Sequence, residues 1–190
     1  MAPATATARR VRVRERARHD ILESSARVFA RRGFAAATLA ELAEAAGYAP
    51  PSLYRYFRSK EEIFESLLAL VSREIEEVFE APVDRTLPIA ARLEGLLTGL
   101  GQLAAGRGEI LELLSAQVDE GARCARLEEL IAGWLRRNVS RRELRFPQAV
   151  VAGVMAGILL SFRHGPDRLG GDPAGRAQLA ADLILHGVSA

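Results

Sequence analysis

The stretch Thr38-Leu39-Ala40-Glu41-Leu42-Ala43-Glu44-Ala45-Ala46-Gly47-Tyr48-Ala49-Pro50-Pro51-Ser52-Leu53-Tyr54-Arg55-Tyr56-Phe57 decides the fold. Its first four residues form a capping box. The Thr38 hydroxyl can accept a backbone N–H bond, and Glu41 can reach back to the cap. Leu39, Leu42, Ala43 and Ala46 follow at i, i+3, i+4 and i+7, the buried stripe of a helix. Gly47 ends that helix. A short third helix is expected over 50–57, with Leu53, Tyr56 and Phe57 facing one way and Ser52 and Arg55 the other. Two helices joined by a tight glycine turn, the second short and polar on one side, make a helix-turn-helix. Such a unit suits double-stranded DNA, because a helix fits the major groove and presents its first side chains to base edges.

Upstream, Leu22, Ala26 and Phe29 recur at helical spacing, widened by Ile21 and Val28, and Gly33 can cap the end. The first helix is expected over 15–32, preceded by a flexible basic arm at 1–14. Downstream, Ser59-Lys60-Glu61-Glu62 is a second capping box. It opens a long fourth helix to about Glu80, with Phe64, Leu67, Leu68, Val71, Ile75, Val78 and Phe79 as its stripe. Pro88 starts a further helix that Gly106 and Gly108 are expected to break. More helices are expected over 109–120, 123–141, 147–163 and 173–188, and no segment alternates as a strand would. The fold class is therefore all-α: an N-terminal three-helix helix-turn-helix domain (15–60) and a larger C-terminal helical domain (61–190).

Charge separates the same two regions. The 190 residues carry a net charge of only +2. Residues 1–60 hold 12 Arg/Lys against 5 Asp/Glu, a surplus of seven positive charges. Residues 61–190 hold 14 against 19, an excess of five negative charges. One end is suited to a polyanion and the other is not. The single Cys124 excludes an intramolecular disulfide. His19, His164 and His186 have no metal-ligand spacing, and no catalytic triad or phosphate loop is visible. We expect no enzyme activity and no cofactor. The longest apolar run, Ala149–Phe162, is shorter than the ~18–20 residues that span a bilayer. A cytoplasmic protein without membrane contact is expected.

The residues expected to face DNA surround the turn. Tyr54 and Tyr56 can donate phenolic hydrogen bonds to phosphates. Lys60, in the first turn of the fourth helix, and Thr38, at the start of the second, are placed to do the same. Arg9–Arg18 reads equally as a solvated tail or as a segment reaching the minor groove or the phosphates.

Phe29-Ala30-x-x-Gly33-Phe34, Thr38-Leu39-x-x-Leu42-Ala43-x-x-Ala46-Gly47 and Leu53-Tyr54-x-Tyr56-Phe57-x-Ser59-Lys60-Glu61 together resemble the TetR/AcrR family of transcriptional regulators. The resemblance covers about residues 15–75. It implies an all-helical homodimer whose N-terminal domain binds a palindromic operator and whose C-terminal domain binds a small inducing ligand. The sequence departs from the family at the third helix, where a Ser or Thr cap is usual and Ala49 stands. Pro50 is then itself a candidate cap, because Pro51 biases it away from helical ψ. A proline edge offers only apolar contact, for example to a thymine methyl. Tyr48, Ser52 and Arg55 are expected to carry more of the readout beside Pro50 and Pro51.

In the C-terminal half, Leu100, Leu114, Trp134, Met155 and Phe162 are candidates for a ligand pocket, or are plain core. Mostly apolar inward faces suggest a hydrophobic ligand. Ala149, Ala152, Gly153, Ala156 and Gly157 form a small-residue seam, with Val150, Val154 and Ile158 beside it. Together with Leu179, Leu183 and Ile184 of the last helix, these are the expected dimer interface. The function expected is a homodimeric repressor released from DNA by a ligand. The alternative is an activator, or a regulator without small-molecule input.

Overall fold

A computed structural model describes residues 3–115, 119–161 and 184. Seven α-helices follow one another among them: α1 (Pro3–Ala36), α2 (Leu39–Ala45), α3 (Pro50–Leu53), α4 (Lys60–Glu80), α5 (Ile89–Ser115), α6 (Glu120–Asn138) and α7 (Gln148–Ser161). The described residues contain no β-strand. The chain divides into two compact units, Met1–Val71 and Ser72–Ala190, with the boundary inside α4.

The N-terminal unit is built around α2. Thr38 Oγ1 accepts the Glu41 N–H at 3.3 Å, and Glu41 Oε2 accepts the Thr38 N–H at 2.9 Å. That is the capping box expected from the sequence. Gly47, at φ 75, closes the helix in the left-handed region that a Cβ would strain. The Tyr48 N–H reaches back to the Ala43 carbonyl (2.8 Å) and the Gly47 N–H to that of Glu44 (3.0 Å), a Schellman closure. Leu42, Ala43, Leu53, Phe57, Ile63 and Leu67 bury completely or nearly so with Ile21, Val28 and Phe29 of α1. Phe57 is thus core, as its place on the apolar side of the motif requires.

Three local expectations are corrected. Residues 3–14 are the first turns of α1, not a flexible arm. Arg-rich sequence has good helix propensity and needs no apolar stripe to continue an established helix. Gly33 (φ 75, ψ 161) still breaks the helix where the sequence placed its end. Ala49, not Pro50, is the N-cap of α3: its φ/ψ are extended, it makes no side-chain cap bond, and both prolines occupy the first turn. Their missing N–H groups are ones that would have no helical partner. Finally, α5 runs unbroken through Gly106 and Gly108 to Ser115. Two glycines cost only about 1 kcal/mol each. Leu93, Leu96, Leu97 and Ile110 are buried, and Arg107 pairs with Glu74 at 2.6 Å, which anchors the helix on both sides of Gly106.

The C-terminal unit has one core. Phe79, Leu93, Leu97, Ile131, Trp134, Leu135, Val151, Ala152, Met155 and Ile184 fill it. Asp119 caps α6 by accepting the Ala122 N–H at 3.0 Å. Arg92 is almost fully buried here and donates to the Asn138 carbonyl and to Glu143. A guanidinium so enclosed is tolerated because a carboxylate and a carbonyl replace its water.

Candidate nucleic-acid interface

Helix α3 begins with Ala49, Pro50 and Pro51, all exposed, and Ser52, half-buried. Its only fully buried residue is Leu53. The helix is therefore held by one anchor and offers its first turn outward. Tyr48 and Tyr56 pack edge-on, 5.5 Å between ring centroids. Burial, reinforced by Tyr56, raises the Tyr48 phenol above its ordinary value, so it stays a neutral hydrogen-bond donor. Tyr54 is 58% exposed. Its ring lies open to solvent at the rim of the motif.

Two expected phosphate ligands are otherwise engaged. Lys60 Nζ donates to three carbonyls, those of Phe34 (2.8 Å), Ala37 (3.0 Å) and Ala35 (3.2 Å). It also lies 4.6 Å from the Phe34 ring centroid. An ammonium has three donors and all three are used, so Lys60 clamps the end of α1 to the start of α4 and has none left for a phosphate. The Thr38 hydroxyl is exposed, but it gives its hydrogen to Glu41 Oε2 at 3.0 Å. Hydrogen bonds from Thr38 then hold the Glu41 carboxyl below its ordinary range, helped by Arg32 at 2.8 Å.

Arg55 lies beyond the last residue of α3, in the turn to Phe57. It is placed less for base edges than for the side of the unit that faces α1. There Arg14 donates to the Arg55 carbonyl at 3.4 Å. Arg18 donates to the Tyr56 carbonyl, stacks 4.0 Å over Phe57, and pairs with Glu62 at 3.7 Å. Sequence reasoning missed both clamps, Arg18 and Lys60, because their partners are backbone carbonyls 23 to 38 residues away. The only available signal was that Lys60 neighbours a helix end.

A family profile described as "Bacterial regulatory proteins, tetR family" matches residues 21–67, the helices just described. Residues 21–67 thus form a TetR-family DNA-binding segment. The HTH-type transcriptional repressor KstR2 of Mycobacterium tuberculosis is 38% identical over 79 residues, which cover 42% of this chain and 40% of that protein. The uncharacterized HTH-type transcriptional regulator YdgC of Bacillus subtilis is 36% identical over 64 residues, covering 34% and 33%. The matched segment thus spans well under half of these curated relatives. Over most of the chain the likeness is one of fold. SmeT, repressor of the Stenotrophomonas maltophilia multidrug efflux pump SmeDEF, superposes with a TM-score of 0.71 at 19% identity, covering 91% of this chain and 90% of that one. PfmR of Thermus thermophilus gives 0.66 at 22%, covering 87% and 97%.

The C-terminal candidates fall into different environments. Trp134 and Met155 are fully buried in the core, and Leu100 packs against it. Val150 and Val154 are half exposed on α7, one turn apart, and Ile158 is partly buried. Ile184 is fully buried within its own unit, so its side chain is taken up by the chain itself and not left for a partner. Leu179, Leu183 and Phe162, and the Leu114 side chain, lie outside the described residues. No described helix is long and apolar enough to cross a membrane.

Proposed function

We propose that this TetR-family regulator is a homodimeric repressor that binds a palindromic operator and is released by a small, hydrophobic ligand. The observation that carries the DNA reading is the outward first turn of α3: Pro50 and Pro51 are presented to solvent, Ser52 is half-buried, and Leu53 alone is fully buried. In a major groove, the prolines would meet thymine methyls and Ser52 and Tyr48 would supply hydrogen bonds. Tyr54 and Tyr56 would hold the flanking phosphates. Repression would be steric, with two such helices in successive major grooves about 34–36 Å apart.

The dimer is supported by Val150 and Val154, two β-branched side chains left half exposed on one face of α7. Ligand release follows from linkage. A compound that binds better to a conformer with the wrong spacing lowers DNA affinity by the same factor. Acting on DNA, the protein would work in the cytoplasm.

Selection of duplexes from a random pool with the whole chain tests this reading. A palindrome with half-sites about one helical turn apart is the expected result. Recovery of no preferred sequence would sink it. Val154→Arg should convert the dimer to monomer in ultracentrifugation and weaken operator binding.

A further inference from the structure

The basic start of α1 is folded, and that changes what it can do. Arg9 and Val13, and Arg10 and Arg14, are each four residues apart on a helix and so lie on one face. That face borders Arg55 and Tyr56. The six residues line a cleft of about 610 Å³. Four of the six are arginines and none is acidic. Among the described residues no carboxylate pairs with Arg9, Arg10, Arg14 or Arg55. Six other arginines, Arg18, Arg32, Arg73, Arg92, Arg107 and Arg126, each have one. Four guanidiniums gathered without counter-charge repel one another, unless an anion joins them. The Tyr56 ring and Val13 add an apolar wall, which leaves the guanidinium forks as the polar surface of the cleft.

We propose that this cleft is a second DNA contact, a seat for phosphodiester groups of the duplex outside the bases that α3 reads. Arginine forks bind phosphate in bidentate fashion, and several in one cleft can follow a strand over adjacent phosphates. A helix is too wide for the minor groove of B-DNA, about 6 Å across, so the contact is to the backbone and not to minor-groove edges. Arg55 is thereby a backbone ligand and reads no base. The contact adds affinity and salt dependence without adding sequence preference. The inference rests on the DNA-binding reading above, and its test separates the two.

The probes are duplexes recovered by selection with the whole chain. One is trimmed to the selected bases, and one is extended at each end by about 5 bp, half a helical turn. The Arg9→Ala/Arg10→Ala/Arg14→Ala variant should bind the trimmed duplex like the parent. On the extended duplex it should lose at least tenfold in affinity. Its slope of log affinity against log salt should fall by about 0.9 for each phosphate lost. The corresponding triple Arg→Lys variant, which keeps the charge, should retain most of the slope. It also distinguishes lost contacts from a damaged helix, which circular dichroism checks directly. Arg55→Ala should weaken every sequence alike, with unchanged base preference. Equal slopes for parent and triple-Ala variant on both duplexes would overturn the cleft and leave the regulator reading intact. Failure of the parent to select any duplex would overturn that reading instead.

Discussion

In the N-terminal unit, cations tie helix ends together: Lys60 grips three carbonyls at the end of α1, and Arg18 grips that of Tyr56. In the C-terminal unit the apolar core is larger, and a cation at a helix end recurs inside it, where the buried Arg92 donates to the Asn138 carbonyl that ends α6. The difference follows from size. A unit of about seventy residues buries a smaller fraction of its apolar surface than a larger one, so packing alone does less to fix the short helices α2 and α3. Carbonyls left open at helix ends then become places where one side chain can add order. The comparison also separates two uses of arginine. In the C-terminal unit Arg92, Arg107 and Arg126 are paired with Glu143, Glu74 and Glu76. Around the start of α1, among the described residues, Arg9, Arg10 and Arg14 have no carboxylate partner and face solvent.

Core truncation in either unit should give the largest effects. Phe57→Ala and Trp134→Ala each remove a side chain no more than 1% exposed. Each should lower unfolding free energy by about 3–5 kcal/mol, read from denaturant melts. If Phe57→Ala were mild, the view that the smaller unit depends on its few buried rings would be wrong.

Next is Lys60→Met, which strips the clamp and leaves three carbonyls to water. A loss of about 1.5–3 kcal/mol is expected from a charged donor. Lys60→Arg should restore only part of it, because a planar fork cannot address three carbonyls as a compact ammonium does. If Lys60→Met kept full stability and lost only DNA affinity, Lys60 would be the phosphate ligand that its sequence position suggested.

Smaller effects should appear on acidification. Hydrogen bonds from Thr38 hold Glu41 below its ordinary value, and those from Ser140 and then Arg92 do so for Glu143. A carboxyl depressed in the folded state stabilises it above the unfolded value, and that contribution is lost as pH falls through the folded value. Glu41→Gln and Glu143→Gln should each flatten the fall in Tm between about pH 6 and about pH 3. Glu143→Gln should have the greater effect at neutral pH, because it leaves the Arg92 guanidinium buried without its carboxylate. Equal Tm losses for the two would remove this contrast between the units.

What could be read from the sequence was whatever depends on near neighbours. The Thr38–Glu41 box, the Gly47 turn and the α4 stripe are each specified within sixteen residues or fewer, and the structure has them. The course of α5 was misjudged because Gly106 and Gly108 weaken a helix locally, whereas its anchors, Glu74 and the core around Leu93, are remote in sequence. The helical start of α1 was missed because a solvated helix has no apolar period. Lys60 was assigned to DNA because its position beside a helix N-terminus was visible and the three carbonyls it binds were not.

Lys60 is also the only lysine in the sequence. Its ammonium is occupied whenever α1 and α4 are joined, so an amine-acylating reagent meets a lysine here only when that joint opens. The rate of Lys60 acylation, followed by peptide mass mapping that separates it from acylation of the N-terminal amine, would therefore time the opening of the small unit without any introduced label. A bound duplex that slowed this reaction would reveal stiffening at a joint it does not touch.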